Sequence, residues 1–216
     1  MTLTLHFHPL SSYCQKVLIA LYENGTAFER QIVNLGDPQS AAAFRERWPV
    51  GKMPGLHDSA GDHAIPESSI IIEYLDQHYP GGTPLIPAEP AAALRTRLAD
   101  RFYDLYVHDP MQRIVGDRLR PADKRDPLGV ETAKAILRAS YGIVDGEMAA
   151  HARTWAIGEA FTLADCAAAP PLFFANKLVP FGEYRHLATY FDRLSKRPSV
   201  ARAFSEAEPF LKFFPG

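Results

Sequence analysis

The sequence predicts an α/β fold in its first third, a small sheet with helices on its faces, followed by an all-α domain. Three observations carry this. Two alternating strand-like runs flank a helical pattern at the N-terminus, a stretch dense in Pro and Gly follows near residue 80, and only helical periodicity appears beyond it. The chain has 216 residues, 47% of them hydrophobic, enough to bury a substantial core as one large domain or two modest ones.

"LTLHF" alternates and is rich in strand formers, and "FERQIV" from Phe28 to Val33 alternates again. Between them Cys14, Val17, Leu18 and Leu21 fall on one helical stripe, and Asn24-Gly25 supplies a stop. A crossover helix makes the two strands parallel. After the turn at Gly36-Asp37-Pro38, "QSAAAFRERW" predicts a short helix halted near Pro49. Two short strands, "PGLHD" and "DHAI", come next, and "ESSIIIEYLDQHY" resumes helical spacing through Ile71, Tyr74 and Leu75. The order is βαβ-ββα over residues 1–79.

"PGGTPLIPAEP" marks a linker, placed at residues 80–88, and residues 89–216 form the helical domain. There Leu94, Leu98, Phe102 and Leu105 make one stripe and Leu137, Tyr141 and Val144 another, while "HLATYFDRLSKRP" and "SVARAFSEAEPF" suggest two further helices. Pro110, inside the first long helix, should kink or split it.

Composition excludes several function classes. Lys and Arg total 23 against 25 Asp and Glu, so the net charge of -2 offers no field for nucleic acid or an anionic membrane. The start "MTLTLHFHPL" has neither a basic nor a long apolar leader region, and no apolar run reaches membrane-spanning length, so a cytoplasmic location is expected. Cys14 and Cys166 lie far apart and are expected as reduced thiols. His6 and His8 share a strand face, but no third ligand stands at a metal-binding spacing, so no metal is expected.

Four local motifs carry chemistry or structure. "SSYCQKV" stands where the first strand passes into a helix, "GKMP" precedes the third strand, "PESSIIIEYL" opens the next helix, and "GEAFTLADC" lies late in the chain. Ser12-x-x-Gln15 is a capping-box pattern that makes Ser12 the expected N-cap. Glu67 and Ser68 sit at a helix start, where free N–H groups attract a carboxylate and Glu67 can meet an ammonium. Thr162 and Asp165 match a capping box with Phe161 as a staple, a structural role. "PLSSY" lacks the glycines of a hydrolase elbow.

The order of elements and these four motifs together resemble the cytosolic glutathione transferases, whose N-terminal half has the thioredoxin fold, and the double serine resembles serine-type bacterial members near the theta and zeta classes. Where the family often has Asn-Pro ahead of its Gly-x-x-Pro turn, this chain has Trp48-Pro49. The resemblance implies glutathione as co-substrate, bound by Ser11, Ser12, Lys52, Met53, Pro54, Glu67 and Ser68, with a cis bond before Pro54. It makes Ser11 the catalytic residue, its hydroxyl facing the ligand sulfur while Ser12 caps the helix. Thioredoxin-like proteins that exchange disulfides carry Cys-x-x-Cys here, so Ser11-x-x-Cys14 puts a hydroxyl at the attacking position and leaves Cys14 structural. A small hydrophobic electrophile is expected between the domains, lined by candidates Tyr103, Tyr106, Val107 and Met111 and by the tail "PFLKFFPG". A homodimer is implied. The alternatives are a glutathione-dependent isomerase of the maleylacetoacetate type, whose motif usually continues with Cys, Trp and Arg where this chain has Tyr13, Gln15 and Lys16, thiol–disulfide exchange through Cys14, and a non-enzymatic binding module.

Overall fold

The computed structural model describes residues 2–61, 63–151 and 153–215. Strand β1 (Leu3–Phe7) leads through a short loop into α1 (Ser12–Glu23), β2 (Glu29–Ile32), α2 (Pro38–Arg47), β3 (Gly55–Asp58), β4 (His63–Pro66) and α3 (Ser68–His78). The sheet order is β2-β1-β3-β4. The β1–β2 pair is parallel, as a helical crossover requires, and the β1–β3 and β3–β4 pairs are antiparallel. This is the mixed sheet of the thioredoxin-like class. β2 is an exposed edge strand, with Ile32 half in solvent.

Register positions the functional loops. His6, Gly55 and Pro66 are Cα partners across three strands, so the loops that follow β1, precede β3 and follow β4 all leave the sheet at one end. Ser11, Met53-Pro54 and Glu67 stand on those three loops.

The helical part comprises α4 (Pro90–Phe102), a π-turn (Tyr103–His108), α5 (Asp109–Arg118), α6 (Pro127–His151), α7 (Leu163–Leu178), α8 (Arg185–Lys196), α9 (Pro198–Ala207) and a closing 3₁₀ segment (Glu208–Phe213). Leu137, Tyr141 and Val144 are buried as their spacing predicts. Helix α1 packs against α3, α7 and α9, so the core runs unbroken from the sheet into the helices.

One expectation takes a particular form and another changes. Pro110 interrupts the regular α-helix without ending it. The chain passes it through the π-turn, in which Asp109 N donates to Asp104 O, one residue further back than in an α-helix. Proline has no N–H to offer the carbonyl of Tyr106, and the Ser140 hydroxyl reaches that carbonyl at 2.9 Å, sharing its hydrogen with Ile136 O at the same distance. The α4 stripe also faces the other way. Leu94 and Leu98 are each 68% exposed and Leu105 47%, whereas the inner face carries Ala93, Thr96, Asp100 and Tyr103. The inner face is polar because Lys16 of α1, fully buried, pairs there with Asp100 at 2.5 Å and Asp104 at 3.1 Å, and Ser69 joins the cluster. A buried cation demands such partners.

Candidate functional site

Ser11 is the residue that caps α1. Its backbone is extended, its N–H donates to His8 O, and its side-chain oxygen accepts from Cys14 N at 3.4 Å. It stands at the positive end of the helix dipole with its side chain half-buried. The expected cap at Ser12 does not form, because Gln15 turns instead to Pro9 O at 2.9 Å and Ser12 is drawn inward. The Ser12 hydroxyl lies 2.6 Å from Nε2 of His108, on the π-turn.

Both serines open onto a cavity of about 250 Å³ between the sheet end and the helical part. Met53 closes one side; Met111, Gln112, Val115 and Leu119 contribute from α5 and its end; Phe174 of α7 and the tail residues Phe213, Phe214 and Pro215 close the other. The tail is held there by Arg118, which donates to Pro215 O at 2.8 Å, and by Phe214 packing on Phe174. Apart from the serines, His8 and Gln112, the wall is apolar, which favours an uncharged guest.

The turn before β3 has Gly51 at φ +68°, a conformation that suits glycine, and a cis peptide between Met53 and Pro54. Lys52 is exposed. Glu67 precedes α3 with φ +69°, an unusual geometry for a non-glycine residue of the kind that clusters at ligand sites, and its carboxylate is exposed. Ser68, the first residue of α3, is buried. Lys52, Pro54, Glu67 and Ser68 do not line the apolar cavity; they lie along the same sheet end, beside it in register.

Of the four residues expected to line the electrophile site, the structure brings only Met111 to this cavity. Val107 is buried in the core. Tyr103 and Tyr106 line a separate cavity of about 390 Å³ between α4 and α6, on the outer side of the π-turn. The chain passes through that turn with His108, Met111 and Gln112 directed toward the serines. Of the tail, Phe213 to Pro215 lie on the cavity. Sequence reasoning missed His108, Gln112, Val115, Leu119 and Phe174. The available signal was Pro110, whose missing N–H forces an irregular turn beside His108.

Electrostatics separates the two candidate nucleophiles of the motif. Burial pushes the Cys14 thiol up to about 12, against hydrogen bonding from Ser11 and the His8 backbone. Cys14 is fully buried and stays protonated. His6 and His8 are both held below the ordinary imidazole value, first of all by burial. Among the described residues no three His, Cys, Asp or Glu side chains are grouped as metal ligands, and no helix is long and apolar enough to cross a membrane.

Known proteins share this fold. Over 94% of this chain and 98% of its own, the crystal structure of a glutathione S-transferase from Methylobacillus flagellatus KT with GSH bound superposes with a TM-score of 0.85 at 25% identity. A stringent starvation protein A homolog from Histophilus somni is 30% identical over 96% of this chain and 92% of its own. A glutathione S-transferase from Pseudomonas putida is 26% identical over 98% and 96%. The family models for the glutathione S-transferase N-terminal domain and C-terminal domain match residues 5–83 and 102–198, and the chain belongs to that family.

Proposed function

We propose that the protein is a glutathione transferase: it binds glutathione at the sheet end, ionises its thiol beside Ser11, and joins it to a small hydrophobic electrophile in the adjoining cavity. The observation that carries this is the Ser11 hydroxyl, set at the N-cap of α1 on the wall of an apolar cavity. The solved relative with GSH bound supports the choice of co-substrate.

The Met53 backbone is assigned to the cysteinyl unit of the peptide, as the family resemblance implies. Glu67 meets the γ-glutamyl ammonium and the N-terminus of α3 at Ser68 meets its carboxylate. Lys52 is the charge for the glycine carboxylate. Lowering a thiol pKa from ~8.5 to ~6.5 takes about 2.7 kcal/mol of preferential anion stabilisation. A hydrogen bond to a charged acceptor contributes ~1.5–3 kcal/mol and the helix end ~0.3–1 kcal/mol, so Ser11 and α1 suffice together. The thiol proton leaves to solvent. The thiolate then forms a carbon–sulfur bond, and the electrophile either expels its leaving group with the bonding pair or takes up a proton after addition.

Thiol–disulfide exchange through Cys14 is disfavoured by its burial and raised pKa. A binding module without catalysis gains support from the relatives named as stringent starvation protein A homologs. One measurement separates it from the transferase: thiolate absorbance of bound glutathione across a pH titration, in wild type and Ser11→Ala. The transferase predicts a bound thiol pKa well below ~8.5 that rises on losing the serine, with a fall of ~10–100-fold in conjugation rate. Binding with an unshifted thiol pKa identifies the module.

A further inference from the structure

The Ser12–His108 pair joins residues 96 positions apart and is buried on both sides. Nε2 of His108 has two neighbours, the Ser12 hydroxyl oxygen at 2.6 Å and the Gln112 amide nitrogen at 3.2 Å. An amide nitrogen has only hydrogens to present, which points to the tautomer with its single lone pair on Nε2, and the Ser12 hydroxyl, the closer partner, is the donor assigned to it, with Gln112 as the longer secondary contact. Burial, with Lys16 acting in the same direction, pushes the His108 pKa down to about 3, so the ring stays neutral and keeps that lone pair. Tyr13 packs edge-on against the imidazole, with 3.8 Å between ring centroids, and helps fix its plane. Ser11 is placed differently. Its oxygen receives Cys14 N–H, and because the neighbouring Cys14 sulfur stays protonated and makes no claim as a thiolate on the Ser11 hydrogen, that hydrogen can turn toward the cavity.

We propose that His108 is a positioning residue that divides the work of the two serines: by accepting the Ser12 proton it makes Ser12 an acceptor only, and so assigns donation to the glutathione sulfur to Ser11. The inference rests on the glutathione reading above for the ligand, while the direction of the Ser12–His108 bond is a property of the free protein. It also gives the π-turn a purpose. Pro110 imposes the turn, the turn directs His108 inward at Ser12, and a residue of the helical domain thereby controls hydrogen-bond polarity in the sheet domain.

Two measurements test it. In the free protein, ¹⁵N NMR of labelled histidines should show His108 neutral with Nε2 unprotonated over about pH 5 to 8, and its Nε2 resonance should move in Ser12→Ala. A proton on Nε2 overturns the assignment. With glutathione bound, Ser11→Ala should raise the thiol pKa by about 1 to 2 in wild type. In His108→Ala the same change should have a clearly smaller effect, because the released Ser12 hydroxyl can donate in its place. A purely structural role for His108 would alter stability or affinity but leave that cross-term at zero, and an equal Ser11 effect in both backgrounds rejects the proposal. Should His108→Ala not fold, Ser12→Ala takes its place: a rise in thiol pKa as large as that of Ser11→Ala counts against the division of roles, and a smaller one supports it. If wild type binds no glutathione, the transferase reading fails, and the NMR result alone decides the Ser12–His108 bond.

Discussion

At the residue scale the two serines and the cysteine of the motif at the start of α1 meet three different fates. Ser11 caps, Ser12 turns inward to His108, and Cys14 disappears into the core. Cys14 lay on the apolar stripe, so its burial was readable from helical spacing alone; Cys166, in an alanine-rich run, was readable in the same way. The serines were harder. A capping-box pattern scores Ser12-x-x-Gln15 without knowing that Pro9 O will claim the Gln15 amide or that a histidine from another domain will claim Ser12. Both thiols carry raised pKa values through burial. We therefore expect neither to react with iodoacetamide in the native protein and both to react in denaturant, counted by intact mass. Rapid native labelling of Cys14 would reopen disulfide exchange.

At the element scale, two helix features were visible in sequence and one of them carries more than its pattern suggests. The Thr162–Asp165 capping box forms, with Thr162 N donating to Asp165 Oδ2 at 2.9 Å. Its second oxygen, however, also takes Ala156 N at 2.8 Å and the Tyr190 hydroxyl at 2.7 Å, which ties α7 to the loop before it and to α8. No local pattern announces Tyr190, 25 residues away. Burial pushes the Asp165 carboxyl up to about 6 from 3.8, although these hydrogen bonds pull the other way. The folded chain thus holds the proton more tightly than the unfolded chain. Stability from this group is fully present below the unfolded value and is lost as pH rises through about 6, a change of about 3 kcal/mol. Asp165→Asn cannot titrate. The stability of wild type minus that of the variant, from urea denaturation, should therefore fall between about pH 4 and about pH 7; a constant difference would show that the hydrogen bonds offset burial. The α4 stripe makes the complementary point. Periodicity found an apolar face correctly but could not say which way it points, because the choice was made by Lys16, the one basic residue of α1.

At the scale of the whole molecule, Lys16 of α1, Ser69 of α3 and Asp100 and Asp104 on α4 and its π-turn form one buried polar cluster that fastens the sheet domain to the helical one. With the inner face of α4 committed in this way, Leu94, Leu98, Leu105, Tyr106 and Ile143 are left between 47% and 68% exposed. Leu98, Tyr106 and Ile143 also line the cavity of about 390 Å³ on that side, which has Arg95 and Arg101 at its rim. Single exposed leucines need no explanation, but a contiguous apolar face with a polar rim marks an interaction surface. The homodimer implied by family resemblance has its natural contact here, and we expect two copies to meet across α4. A two-fold contact uses each residue twice, so one charge introduced at its centre is met by the same charge on the partner as well as by desolvation. Leu98→Glu should therefore dissociate the pair with little effect on the fold, since its side chain is exposed in the single chain. Sedimentation velocity at micromolar concentration gives the answer. A wild-type dimer that becomes a folded monomer in the variant places the contact on this face. A wild-type dimer indifferent to the substitution moves it elsewhere, and a wild-type monomer removes the homodimer altogether.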